Sequence, residues 1–380
     1  MDTEQLSPRR RRATALIALA VIAMAVASLA YLYSNKSPNP QVGTESNDPL
    51  LVTRNYVTYN FTSPTEGWAL DIQAGTGLTP GQFAIFRTVD RGKHWLKQLS
   101  GDGEFYCCFY GGTVPVQIVD AAHIFLLVRG LTDRLYRTAD GGAHWDTLAT
   151  PSQHVTAVAF SDPKYGWLLD GSTGRDLYAT RDGGASWQRL PAPPLDAFRL
   201  SLRSPNEAWM SAFGSGGPRV YTSADEGHTW QKHDVPPPPG GSWDSGSFFQ
   251  LQLLPRTGVV VSDAYGGSPS SFMATSFDGG ATWRYVQPPS GTVAYQDAFH
   301  WWGMHGLALS KSSDAGQTWT EVTSQLPGWL FRPDLYVLDA KHAWVTMSVP
   351  ASSLAPGGNG LAFTDDGGLH WSRVRVPHGG

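Results

Sequence analysis

The sequence predicts an all-β chain, a seven-bladed β-propeller of four-stranded antiparallel blades, preceded by one N-terminal transmembrane helix. Three observations predict it. The string TSFDGGATW at positions 275–283 is one of seven copies of a single pattern. The 380 residues include 42 Gly, 27 Pro and 15 Trp, a composition that favours short strands and tight turns over helices. One uncharged apolar run, ATALIALAVIAMAVASLAYLY at 13–33, follows Arg9, Arg10, Arg11 and Arg12.

The repeat is anchored on Asp90, Asp140, Asp182, Asp225, Asp278, Asp314 and Asp366. Each Asp is followed at +2 by Gly and at +5 by Trp, and preceded at −2 by Ser or Thr. A hairpin turn exposes several backbone N–H groups. An Asp carboxylate accepts hydrogen bonds from them and from the preceding hydroxyl. Gly supplies the positive φ, and Trp buries a large apolar surface as the next strand begins. A second, weaker motif precedes each copy: SPTEGW from Ser63, DAAHIF from Asp120, DPKYGW from Asp162, SPNEAW from Ser204, LPRTGV from Leu254, DAFHWW from Asp297 and DAKHAW from Asp339. Each opens with turn formers and ends on a bulky residue that starts a strand. One unit therefore reads strand, turn, strand, loop, strand, DGG turn, strand, and seven such units make the propeller.

This pattern resembles the Asp-box, or bacterial neuraminidase (BNR), repeat over everything after the first 50 residues. The units also resemble those of the photosystem II stability/assembly factors. That likeness implies a scaffold that binds a protein partner at a membrane without catalysis. Sialidases share the repeat and imply the alternative, a glycoside hydrolase or a glycan-binding lectin. Sialidases need an arginine triad, a Tyr–Glu pair and an acid Asp. The five glutamates after the linker, of which only Glu104 falls in a connecting loop, weigh against them, and their Phe/Tyr-Arg-Ile-Pro string has Phe331-Arg332-Pro333 as its nearest match. Xyloglucanases, also similar, work with a carboxylate pair in a cleft between two propellers, whereas this chain encodes one.

Residues 1–12 read as a cytoplasmic basic segment, 13–33 as a signal anchor, 34–50 as a flexible linker and 51–380 as the propeller. The apolar run is long enough to span a hydrocarbon core of about 30 Å. Arginines before it place the propeller outside the cytoplasm, at the cell surface or in the periplasm. A cleavable signal peptide is the rival, with Ser28 and Ala30 as a small-x-small site. The formal charge is −4, and the residues after position 33 hold 24 basic against 30 acidic side chains. That balance argues against nucleic acid as a partner.

With the repeat subtracted, little chemistry is left over. Seven of eleven His fall in the two motifs, and the other four are scattered, so no metal centre and no cofactor are expected. One carboxylate per DGG turn is too few for calcium. Asp71 and Asp170 end equivalent second strands and, with Glu104, are the catalytic candidates if the chain is a hydrolase. For binding, the candidates are Phe105, Tyr106 and Tyr110 in the loop GDGEFYCCFYGG, and Trp243 in the loop VPPPPGGSWDSGS. Adjacent Cys107 and Cys108 form either a vicinal disulfide or two buried thiols. Thr58, Asn60, Arg199, Arg203, Gln250 and Gln252 are assigned to the channel, the two arginines suiting an anionic or carbonyl-rich partner.

Overall fold

The computed structural model describes residues 45–46, 56–73, 81–103, 116–128, 133–171, 175–212, 217–237, 249–254, 258–263, 272–289, 291–326, 334–349 and 358–377. Among them the regular elements are β-strands, grouped into small antiparallel sheets in the manner of a β-propeller. In chain order the sheets are sheet 1 (56–103), sheet 2 (116–149), sheet 3 (155–189), sheet 4 (197–234), sheet 5 (249–286), sheet 6 (292–322) and sheet 7 (335–374). Sheets 2 to 7 have four strands in consecutive order, as the repeat predicts. Sheet 1 departs from the prediction with five. Glu45–Ser46, in the stretch expected to be linker, pairs with Leu96 and Trp95 on the outer strand. An edge strand offers unpaired N–H and C=O groups, and here the preceding chain satisfies part of them. No helix of the described residues is long and apolar enough to cross a membrane. The predicted span at 13–33 and the basic segment before it lie outside the described residues.

The strands form because the pattern alternates. In sheet 1 the second strand, Gly67–Gln73, sends Trp68 and Leu70 to one side and Ala69 to the other, all buried. Trp68 and Leu70 pack with Ile124, Leu126 and Tyr136 of sheet 2, whereas Ala69 packs with Trp344 and Leu361 of sheet 7. The other apolar clusters follow the same plan, each joining a sheet to its neighbour: 2 with 3, 3 with 4, 4 with 5, 5 with 6, and 6 with 7. At the seam between sheets 7 and 1 the rings of Phe61 and Trp344 stack with centroids 3.6 Å apart.

An antiparallel meander puts its connections at two ends. First-to-second and third-to-fourth turns share one end, here called the box end. Second-to-third loops and inter-sheet connections share the other, the loop end. Backbone hydrogen bonds tie the two turns of the box end together within a sheet. The amide of the residue after the box Asp donates to the first turn: Arg91 to Thr65, Gly141 to Ala122, Gly183 to Lys164, Ala315 to Phe299 and Gly367 to Lys341, at 2.8–3.0 Å. Both residues after the Asp have positive φ, including Arg91, Glu226 and Ala315 where the first is not Gly. The turn therefore needs two left-handed residues in succession, which explains the DGG triplet.

Gly142 and Gly279 separate conformation from packing. Gly142 has φ +91, and a Cβ there would stand 2.7 Å from the Trp68 ring of sheet 1. Gly279 has φ +77 and open space around it. Gly279→Ala is expected to lower stability by about 1–2 kcal/mol, the left-handed cost alone. Gly142→Ala is expected to lose about 1–3 kcal/mol more, because the neighbouring sheet must shift. Urea unfolding followed by tryptophan fluorescence checks this, and equal losses for the two variants contradict it.

Candidate functional site

The seven repeated Asp turns, the boxes, have one geometry. The Ser or Thr Oγ donates to the Asp Oδ1 at 2.8–3.0 Å and accepts the Gly amide at 2.8–2.9 Å. These hydroxyl residues are buried, so the amide has no water to turn to. The Asp Oδ1 also accepts the amide of the residue at +4, at 2.9–3.0 Å. Its Oδ2 meets that residue's side chain at 2.5–2.6 Å: His94, His144, Ser186, Thr229, Thr282, Thr318 or His370. Every oxygen is engaged within its own turn, so the boxes build the hairpins.

Charged side chains of the box end bridge neighbouring sheets. Arg87 forms an ion pair with Glu66 in its own sheet and donates from Nη1 to Gly141 O of sheet 2 at 3.0 Å. Arg137 donates from Nη1 to Asp182 O and Gly183 O of sheet 3, both at 3.0 Å. Arg181 pairs with Glu226 of sheet 4. Arg203, expected in the channel, lies instead just beyond the strand Ala197–Leu202, in the turn. There it donates to Glu207 Oε1 at 2.9 Å, and to Leu254 O and Gly258 O of sheet 5 at 2.8 and 3.1 Å. The reason is register: Leu202 pairs with Ala208 as the last pair of the ladder, so the next residue turns outward.

The other described sequence candidates lie on the strands of sheets 1, 3, 4 and 5. Asp71 is buried, opposite Val57 and Ala84 in the ladder of sheet 1. Nearby, Tyr59 stands edge-on to Tyr336 of sheet 7 with centroids 6.0 Å apart. Burial pushes the Tyr59 phenol well above its usual range, and Tyr336 and the Asp71 charge push the same way. Asp170 is buried in sheet 3, its amide donating to Asp176 O at 2.8 Å. Asp71 and Asp170 stand on sheets 1 and 3, each of which packs against sheet 2. Arg199 lies half-buried on the first strand of sheet 4, opposite Ser211, and burial lowers its guanidinium from the ordinary value. Asn60 and Gln252 are exposed and Thr58 is half-buried. Glu104, Phe105, Tyr106, Cys107, Cys108, Tyr110 and Trp243 lie outside the described residues. Two carboxylates escaped the sequence reading. Asp133 accepts the Val155 amide at 2.7 Å, joining sheet 2 to sheet 3, and Asp334 has its carboxyl raised by burial. Both immediately precede strands, a position that the repeat does not mark. Among the described residues no group of three or more His, Cys, Asp or Glu is arranged to hold a metal ion.

The boxes make the fold sensitive to acid. Asp140, Asp182, Asp225, Asp278, Asp314 and Asp366 are lowered from 3.8 to about 2. The chief cause is the hydroxyl at +4 for Asp182, Asp225, Asp278 and Asp314, and the amide at +4 for Asp140 and Asp366. A carboxylate whose folded value is depressed contributes stability in full above its unfolded value, and that contribution is lost as pH falls through the folded one. The urea midpoint is therefore expected to drop between about pH 4 and about pH 2. Asp182→Asn is expected to lower the midpoint at neutral pH and to flatten the acid slope, and an unchanged slope contradicts the assignment.

No protein-family model and no curated protein matches the chain. Solved structures do match it. The WD40 domain of Neurospora crassa Pan2 is 11% identical, with 82% of this chain and 89% of that chain covered at a TM-score of 0.52. A prolyl endopeptidase is 12% identical, with 86% of this chain and 49% of that chain covered at a TM-score of 0.53, so the chain spans about half of that protein. YCF48 bound to a D1 peptide is 18% identical, with 70% and 82% covered, at a TM-score of 0.49. At these identities what the chain shares with the Pan2 domain and the endopeptidase is the β-propeller fold.

Proposed function

We propose that this chain is a membrane-tethered, seven-bladed propeller, held outside the cytoplasm, that binds a protein partner and has no chemistry of its own. The observation that carries this reading is the division of labour between the two ends. At the box end the repeated carboxylates, hydroxyls and imidazoles are engaged with their own turns. Connections that differ in length and sequence from sheet to sheet leave from the loop end, where sheet 1 ends at Gly103 and sheet 2 begins at Val116. That connection has the sequence EFYCCFYGGTVP, and the one between sheets 4 and 5 contains Trp243. In repeat folds the repeated residues specify the scaffold and the variable ones specify the ligand. Aromatic side chains in stiff, Pro- and Gly-rich loops suit a protein surface, since they bury much area at little entropic cost.

The experiment is affinity capture of the full chain from its own membranes after crosslinking, together with a glycan-hydrolysis panel. A stoichiometric protein partner is expected. Trp243→Ala and Tyr106→Ala are each expected to weaken its binding at least about tenfold, as for a hot-spot aromatic. Glycan turnover that Asp71→Asn or Asp170→Asn abolishes overturns the reading in favour of a hydrolase.

A further inference from the structure

The seven outer strands can be compared with one another, because the repeat gives each sheet the same four positions. In sheets 2 to 7 the outer strand has four, two, four, three, three and three residues. In sheet 1 it is Trp95–Gly103, nine residues long. Its inner side is paired with the third strand, Gly81–Thr88, from Leu96 opposite Arg87 to Gly103 opposite Gly81. On its outer side the described partners are Ser46 at Trp95 and Glu45 at Leu96. Among the described residues the run from Lys97 onward therefore presents an edge of backbone N–H and C=O groups, a template for one more strand.

The bulge and the charges of this strand select what it accepts. Leu99 pairs with Ile85 and Lys97 with Phe86, so Gln98 is an extra residue. Trp95 packs toward sheet 7 and Leu99 toward sheet 2. An unbroken strand would send both the same way, and the bulge reverses the alternation between them. Gln98 is buried on the sheet 2 side, where a Cβ at Gly142 would stand 2.8 Å from its Oε1. Ser100 lies opposite Ala84, which packs toward sheet 7. Lys97, Ser100 and Asp102 consequently share the sheet 7 side.

Lys97 is half-buried and Asp102 exposed, and among the described residues no ion pair includes either. Outer-strand charges elsewhere are matched inside their own sheets: Asp146 with Arg137, Arg189 with Asp176, and Lys232 with Asp234. Arg134 of sheet 2 donates to the Asp102 carbonyl at 3.2 Å, which holds the end of the strand against its neighbour and leaves the carboxylate outside that contact.

We propose that this edge pairs with the same edge of a second copy of the chain, giving an antiparallel two-fold dimer centred on Ser100. Residues directly opposed in an antiparallel pair point to the same side of the sheet, so the two-fold axis must pass through a residue. With the axis at Ser100, that residue faces its own counterpart and Leu99 faces Gly101. Gln98 is again the extra residue, and Lys97 falls opposite Asp102, twice by symmetry. Without the bulge Gln98 would oppose Asp102, Lys97 would oppose Gly103, and no opposite charges would meet. The new ladder runs from Lys97 to Asp102 and stops where Glu45 and Ser46 already occupy the edge. A foreign strand would have to supply both charges at this spacing, whereas the strand already carries its own complement. That self-complementarity favours a second copy over another partner. The dimer requires neither the tether nor the loop-end partner proposed above.

The test takes the full chain in detergent micelles through sedimentation equilibrium at matched solvent density. A dimer is expected. K97D sets two carboxylates against each other in each pair and D102K two ammonium groups, and either is expected to raise the dissociation constant at least about tenfold. K97D/D102K restores opposite charges with the signs exchanged and is expected to return the constant to within about threefold of the native value. Ser100→Cys in a C107S/C108S background is expected to form an intermolecular disulfide on mild oxidation, because directly opposed residues have Cβ atoms about 4.5–5.5 Å apart. Lys232→Cys, on the outer strand of sheet 4, is the control and is expected to stay uncross-linked. Trp fluorescence verifies that each variant is folded. A monomer at every concentration, the result if the chain before Glu45 itself covers the edge, overturns the proposal. So does a dimer that neither charge reversal weakens, or one in which the Ser100→Cys chain fails to cross-link.

Discussion

One buried hydroxyl per sheet supports the rest of the architecture. The Ser or Thr at the head of each box is buried, accepts the Gly amide and donates to the Asp. That pair of bonds holds two consecutive residues in the left-handed region, which is what turns the chain sharply enough for the fourth strand to lie against the third. The same turn then offers its amide to the first turn of its sheet and its carbonyl to an arginine of the sheet before it. Local hydrogen bonding, hairpin, sheet and ring are linked through this one group.

Among the described residues none of the sheets holds a core of its own. Each apolar cluster spans two neighbours, so a sheet is stable only while both of its faces are covered, as expected of a stacked repeat. The first and last sheets pack together although they stand at opposite ends of the propeller sequence. The seam is well furnished, with Phe61 stacked on Trp344, Tyr59 against Tyr336, and Arg91 paired with Asp365 and lying over the Phe363 ring.

Legibility in the sequence followed distance along the chain. The boxes were readable because their partners lie within five residues of one another, and the structure gives all seven the same bonds. The first-turn histidines could be located as motif residues, but the spacing did not announce their pairing with Asp three residues earlier. Arg203 was misplaced by one strand boundary, which moved its guanidinium from the channel to the next sheet. Asp133 and Asp334 gave no signal at all. Their importance comes from burial, and burial depends on what packs against a residue.

The sequence by itself determined the turns, the alternating strands, the number of repeats and the supply of aromatic side chains for the interfaces. These are local properties, fixed by φ preferences, hydrogen-bond reach and side-chain alternation. Only the tertiary structure decided that Glu45 and Ser46 add an edge strand to sheet 1, and that arginines clamp the turns of neighbouring sheets. Such contacts join residues as remote as Arg91 and Asp365, 274 positions apart, and ring closure rather than spacing brings them together.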